Sequence, residues 1–245
     1  MIRIAAIADV HFSGDSSGAM REYWSEIHRS ADVFMIGGDL TTHGEARQAS
    51  VLAKELAVVQ VPVIAVLGNH DHHSNEADGV RRALEQVGVI VLEGEGSTLM
   101  IGGCSLGVAG TKGFGGGFAG ACGTPFGEPE MKAFIQHTER MAHRLEENLQ
   151  GLETDYRVAL LHYAPVKDTV SGERLELYPF LGSYLLAEAI DRAGADLVIH
   201  GHAHHGQEKG LTAHGIPVRN VALPLLKRPY AVYNLEKAKI RAVAS

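Results

Sequence analysis

Five short blocks of metal-binding side chains punctuate this 245-residue sequence: Asp9-Val10-His11, Gly38-Asp39, Gly68-Asn69-His70-Asp71, an isolated His162, and Gly201-His202-Ala203-His204. Asp9, His11, Asp39, Asn69, His162, His202 and His204 together offer seven donors, more than one tetrahedral zinc with an open position takes up. Two ions account for them better. A carboxylate has two oxygens and can bridge ions ~3.5–4 Å apart. Asp39, with Gly38 giving close backbone access, is the candidate bridge. Mixed oxygen and nitrogen ligation suits manganese, iron or zinc better than magnesium or calcium.

The sequence holds 14 histidines, twice the number of donors just named, so most need another reading. On an extended chain His200, His202 and His204 would all face one side, and alternation leaves open which two bind metal. His43, His72, His73 and His205 flank the blocks and read as neighbours of the site or exposed histidines rather than ligands. His28, His137, His143 and His214 read as histidines of helices and surface loops.

Every block follows a short apolar run that reads as a buried strand, at residues 2–8, 33–36, 63–67, 157–161 and 197–199. Segments of helical period at 19–30, 45–59, 78–87, 128–149 and 183–193 separate them, the rhythm of βαβ units around a parallel sheet. In open α/β sheets ligands collect beyond the carboxyl ends of the strands, which is where all five blocks stand. Residues 89–92, 98–101 and 106–109 lie too close together for helices between them and are expected to pair antiparallel. A similar meander is expected to close the chain at 217–222, 230–235 and 240–243, so a second sheet follows. The glycine-rich stretch 110–127 lacks the spacing of a nucleotide P-loop. It reads either as a loop beside the site, with Lys112, Phe114 and Phe118 reaching substrate, or as a flexible surface excursion.

Taken in order, D-x-H, G-D, G-N-H-D, a lone histidine after a strand and G-H-x-H resemble the calcineurin-like metallophosphoesterases, over a span from Asp9 to His204. The resemblance implies an α/β fold, a four-layer αββα sandwich of two mixed β-sheets flanked by helices, here as one domain over residues 1–245. It implies a first metal held by Asp9, His11, Asp39 and His204, and a second held by Asp39, Asn69, His162 and His202. It also implies that His70 sits over the substrate phosphate, oriented by Asp71, which would fix the ring and raise its pKa. Elementary chemistry agrees, because a hydroxide held between two cations is a nucleophile at neutral pH and the same cations neutralise phosphoryl oxygens. His70, next to a ligand in sequence, is then placed to protonate the leaving-group oxygen or to donate to the developing charge.

Composition narrows the partners. Lys plus Arg total 22 against 29 Asp plus Glu, a net charge of −7, which disfavours an extended nucleic-acid surface or an anionic membrane. No apolar run reaches the ~18 residues of a membrane span. The opening apolar run meets Asp9 and His11 too early for a signal peptide. Cys104 and Cys122 can form one bridge at most, lack metal-type spacing and fit a reducing cytoplasm, the expected location. Gly38-Asp39 continues as Leu40-Thr41-Thr42-His43-Gly44, unlike the G-D-x-x-D-R-G of protein serine/threonine phosphatases in this superfamily. The expected substrate is therefore a small phosphomonoester, phosphodiester or nucleotide. A metal-dependent nuclease and a non-catalytic scaffold are the alternatives; a scaffold would be expected to lose ligands, and none is missing.

Overall fold

The structure is a computed structural model and describes residues 1–236. Its strands in chain order are β1 (Ile2–Ile7), β2 (Val33–Gly37), β3 (Val63–Val66), β4 (Ile90–Val91), β5 (Glu95–Ile101), β6 (Cys104–Thr111) and β7 (Gly117–Phe118). They continue with β8 (Ala121–Cys122), β9 (Tyr156–Leu161), β10 (Leu197–His200), β11 (Lys209–Leu211), β12 (Pro217–Asn220) and β13 (Ala231–Leu235).

Strand residues alternate between two apolar environments, and this builds the layers. In β1, Ala5 and Ile7 face helices whose Trp24, Leu52 and Leu84 cover the outside of one sheet. Ile4 and Ala6 face inward and meet Val108, Val158, Leu160 and Ile199 of a second sheet. That sheet's outer face, with Ala159 and Leu161, is covered by Leu145, Leu149, Leu186 and Ile190 of the helices Pro129–Gln150 and Tyr184–Ala193. The result is helix, sheet, sheet, helix. The first sheet has the order β13-β1-β2-β3-β4 and the second β11-β12-β10-β9-β6-β5. β1 to β4 run parallel, as do β12, β10, β9 and β6, with antiparallel partners at edges, so both sheets are mixed.

Three expectations need correction. β4 does not pair with the strands after it: the helix Ala77–Glu85 carries the chain back over the first sheet, so Ile90 registers parallel with Ile64 of β3. Only β5 and β6 form the expected antiparallel pair. The closing meander is split, because β12 joins the second sheet and β13 returns to the first against β1, while an unforeseen β11 pairs with β12. The segment 240–243 lies outside the described residues. The helix expected at 19–30 is two short ones, Arg21–Ser25 and Ile27–Ser30, separated at Glu26.

Candidate metal centre

The carboxyl ends of β1, β2 and β3 face those of β9 and β10 across the layer between the sheets, and each end delivers one block of donors. The chain must turn sharply there. Asp9, His11, Asp39 and His202 all adopt left-handed backbone conformations, with φ of 57°, 43°, 48° and 69°. Such a conformation costs a non-glycine residue about 1–3 kcal/mol and persists only where the surroundings over-determine it. Here the turns are tied together: the Asp9 N–H donates to the Gly38 carbonyl and the His11 N–H to the Asp39 carbonyl, each at 3.0 Å. Close approach also excludes side chains. A Cβ on Gly68 would enter the Asp39 carboxylate, and one on Gly38 would stand 2.6 Å from His162 Nδ1.

Asp39 occupies the middle. Its Oδ2 lies 3.7 Å from His11 Nε2 and its Oδ1 3.3 Å from His162 Nε2, so the two oxygens face different histidines. His204 Nε2 is 3.0 Å from Asp9 Oδ1, and Asn69 Oδ1 is 2.9 Å from His162 Nε2. One ring has its tautomer set by a carbonyl, which can only accept: His202 Nε2 donates to Phe180 at 3.1 Å, leaving the lone pair on Nδ1. Both His162 nitrogens face acceptors, Nδ1 the Gly37 carbonyl and Nε2 Asn69 Oδ1, each at 2.9 Å. Donor atoms of Asp9, His11 and His204 lie within 4.8 Å of one another, as do those of Asp39, His162 and His202. A third group of His11, Asp39 and His70 joins the two.

This donor set fits metal ions. Asp9 and Asp39 are 2% and 1% exposed, and among the described residues they pair with histidines only, never with lysine or arginine. Burial pushes Asp9 up to about 6, and the neighbouring Asp39 carboxylate adds to the effect. Burial pushes His11, His162 and His202 down, His202 to about 3, so these rings are neutral. The hydrogen bond to Asp9 pushes His204 up. Buried carboxylates beside neutral imidazoles are a cluster of acceptors that positive charge stabilises.

Asp71 does not orient His70. Its buried carboxylate accepts the N–H groups of Leu40, Thr41 and Gly68 at 3.0, 2.8 and 2.8 Å, and the Thr41 hydroxyl at 2.6 Å. Residues 70 and 71 sit in the short 3₁₀ turn His70–His72, where adjacent side chains point apart. Burial pushes Asp71 up to about 6, and its four bonds clamp the Asp39 loop to the Asn69 loop. His70 is instead fixed by its Nδ1 donating to the Thr42 carbonyl at 2.8 Å, with Nε2 3.9 Å from Asp39 Oδ2 and the side chain partly exposed.

His200 is turned away: Nδ1 donates to the Gly201 carbonyl at 2.7 Å and Nε2 lies 2.8 Å from the Thr169 hydroxyl. His202 and His204 are therefore the pair that reaches the other donors. The glycine-rich stretch divides: Lys112 to Phe118 is largely buried, whereas residues 119–127 are largely exposed, as a surface excursion would be. Lys112 adjoins His162, whose N–H its carbonyl accepts at 3.1 Å, while Phe118 packs on Tyr178. Sequence reading passes over Glu93, the acid that follows β4 and whose Oε1 accepts the Leu67 N–H at 2.9 Å. Its one signal is a carboxylate just past a strand end.

Two facing mixed sheets with clustered aspartates and histidines at their carboxyl ends define an α/β protein built to hold metal ions. The chain belongs to the calcineurin-like phosphoesterase family, which it matches over residues 2–206. Among solved structures it is similar to phosphopantetheinyl hydrolase (PptH) from Mycobacterium tuberculosis, at 14% identity over 96% of each chain with a TM-score of 0.68. It is also similar to TT1561 of Thermus thermophilus, at 19% identity over 95% of this chain and 98% of that one with a TM-score of 0.58. These likenesses establish a shared fold. No curated protein matches the chain. Family and donor set together support metal-dependent hydrolysis of phosphoesters as the general activity.

Proposed function

We propose that the protein hydrolyses a phosphoester of a small phosphorylated molecule or nucleotide at a centre of two transition-metal ions, manganese, iron or zinc. The observation that carries this reading is that Asp9, His11 and His204 cluster on one side and Asn69, His162 and His202 on the other, with the two oxygens of Asp39 facing His11 and His162 between them. Asp9, His11, Asp39 and His204 would hold one ion, and Asp39, Asn69, His162 and His202 the other. Bound ions supply positive charge for phosphoryl oxygens and lower the pKa of water, making hydroxide available near neutral pH.

The chain's own residues do the rest. Asp71 keeps the Asp39 and Asn69 loops at fixed separation. His70 bears a proton on Nδ1, which Thr42 holds, and presents Nε2 at the mouth of the site. In its protonated form that nitrogen hands a proton to the leaving-group oxygen. The net charge of −7 favours a small substrate over nucleic acid, since backbone tracking needs a basic surface. Among the described residues no helix is long and apolar enough to cross a membrane. Cys104 and Cys122 are unpaired, in keeping with a reducing cytoplasm.

The test is hydrolysis of p-nitrophenyl phosphate and bis-p-nitrophenyl phosphate by the metal-reconstituted protein. Turnover is expected to vary little between ~50 and ~200 mM salt, because buried charges are poorly screened. Tight, strongly salt-dependent binding and cleavage of DNA or RNA would establish the nuclease instead. No hydrolysis despite two bound ions would establish the scaffold.

A further inference from the structure

The row of polar strand ends continues one strand beyond the metal ligands. In the first sheet β1, β2 and β3 lead to Asp9, Asp39 and Asn69, and the next strand, β4, leads to Glu93. In the second sheet β10 and β9 lead to His202 and His162. The next strand there is β6, and since Thr111 registers with Leu161, Lys112 stands beside His162. Glu93 and Lys112 thus form one more station of the same row of strand ends. His72 belongs to it as well, with Nε2 3.9 Å from Glu93 Oε2.

Lys112 is 9% exposed, yet its ammonium makes no hydrogen bond or ion pair among the described residues. Its Nζ lies 5.0 Å from the centroid of Phe114 and 5.7 Å from that of Tyr163. The Tyr163 ring in turn is 4.4 Å from the ring of His202. An ammonium on a largely buried stem, left with two aromatic faces and no hydrogen-bonding side chain, is open to an anionic partner. Burial pushes Lys112 down while the charges of Glu93 and Asp39 push it up, and burial pushes Glu93 up to about 7.

We propose that Lys112 is a specificity-determining residue that binds a phosphoryl oxygen present only in phosphomonoesters, so that the site selects dianionic monoesters over diesters. This rests on the phosphoester reading above. A diester has two non-bridging oxygens that share one charge, whereas a monoester has three that share two. Two of these oxygens find partners in a two-ion centre. The third needs a donor of its own, and the unpaired Lys112 ammonium, whose charge acts on His162 and which feels that of Asp39, is placed to be that donor. In the absence of substrate, Glu93 acts on the ammonium from the opposite sheet without forming an ion pair with it.

Lys112→Met keeps the apolar stem between Phe114 and Tyr163 and removes the charge. In metal-reconstituted protein, the ratio of kcat/KM for p-nitrophenyl phosphate to that for bis-p-nitrophenyl phosphate is expected to fall about 10–100-fold, the worth of one charge-assisted hydrogen bond. Calorimetric titration with inorganic phosphate and dimethyl phosphate reads the same preference without turnover. It is expected to drop by a similar factor in Lys112→Met and to stay within about threefold in Lys112→Arg. A change below about threefold in Lys112→Met, equal losses in both variants, or loss of bound metal from Lys112→Met overturns the assignment. If the wild type hydrolyses neither ester but keeps a Lys112-dependent preference for phosphate, the hydrolase reading falls and the anion site stands.

Discussion

Asn69 Oδ1 and His162 Nε2 face each other at 2.9 Å across the layer between the sheets, while the Gly37 carbonyl faces the ring's Nδ1 at the same distance. A neutral ring has one proton for these two acceptors, and Asp39 Oδ1 is a third acceptor 3.3 Å from Nε2. Burial holds His162 well below its ordinary pKa, so a second ring proton does not relieve the contact. A cation does.

Elemental analysis of protein purified without chelator is accordingly expected to find close to two transition ions per chain. Asp39→Ala should lose both, because its two oxygens serve both halves of the cluster. His162→Ala should mainly weaken one. Equal and mild losses in the two variants would contradict a bridging Asp39.

His70 lies at the mouth of the site, with its Nδ1 held by the Thr42 carbonyl. His70→Ala is expected to retain its ions and to lose turnover by roughly 10²–10⁴-fold, the scale of a general acid. The loss should shrink for p-nitrophenyl esters, whose leaving group needs little protonation. Metal analysis of the same variant checks the assignment, since loss of an ion would make His70 a ligand.

Asp71→Asn tests the clamp between loops. Three N–H donors and one hydroxyl converge on the carboxylate, and an amide replaces one of its acceptor oxygens by a donor. Denaturant unfolding should show a loss of about 2–4 kcal/mol, the scale for breaking a buried network. A change within about 0.5 kcal/mol would show that the carboxylate does not hold the loops.

A single methyl group should separate structural from site glycines. Gly68→Ala drives its Cβ into the Asp39 carboxylate and backbone, whereas a Cβ on Gly14 meets nothing within 4 Å. Gly68→Ala is expected to lose bound metal, and Gly14→Ala to match the wild type. Full metal occupancy in both would mean that the Asp39 loop yields easily.

Acid should destabilise the metal-free protein through its buried rings. His162 and His200 are 0% exposed, and burial pushes both down, His200 to about 4. Between the ordinary histidine range near 6.5 and those lower values, the unfolded chain takes up protons that the folded chain refuses. Stability therefore falls as pH drops through this window, by up to about 1.4 kcal/mol per pH unit for each ring. Asp9, Asp71 and Glu93, pushed up to about 6, 6 and 7, take up protons in the folded chain and oppose this trend. Thermal unfolding at pH 7, 6 and 5 is therefore compared between the wild type and His200→Gln, which should lose less stability on acidification. An unchanged slope would remove His200 from the account.

Much of the site is legible before any folding is known. Apolar runs of buried strands stop where polar residues begin, so the pattern along the chain marks strand ends and the side chains carried there. Asp9, His11, Asp39, Asn69, His70, Asp71 and His162 stand out in this way, and β1, β2, β3, β9 and β10 fall within a residue or so of expectation. Strand partners are less legible. β4 and the segment after it look alike in sequence, yet the crossover helix Ala77–Glu85 sends β4 to the first sheet and Gly94, at φ 91°, turns the chain toward the second.

The sequence by itself determined which kinds of donor this protein has, their order, and their position at the ends of buried strands, because these follow from local composition and periodicity. The tertiary structure alone decided which of them meet. His200, His202 and His204 are equivalent by alternation until the left-handed turn at His202 breaks the pattern and leaves His200 against Thr169. Asp71 is next to His70 in sequence but bonds Leu40, Thr41 and Gly68, because a 3₁₀ turn points neighbours apart. Glu93 and Lys112 form no motif; they come within electrostatic reach because β4 and β6 hold corresponding places in two sheets, and strand order is set by crossovers and packing along the whole chain.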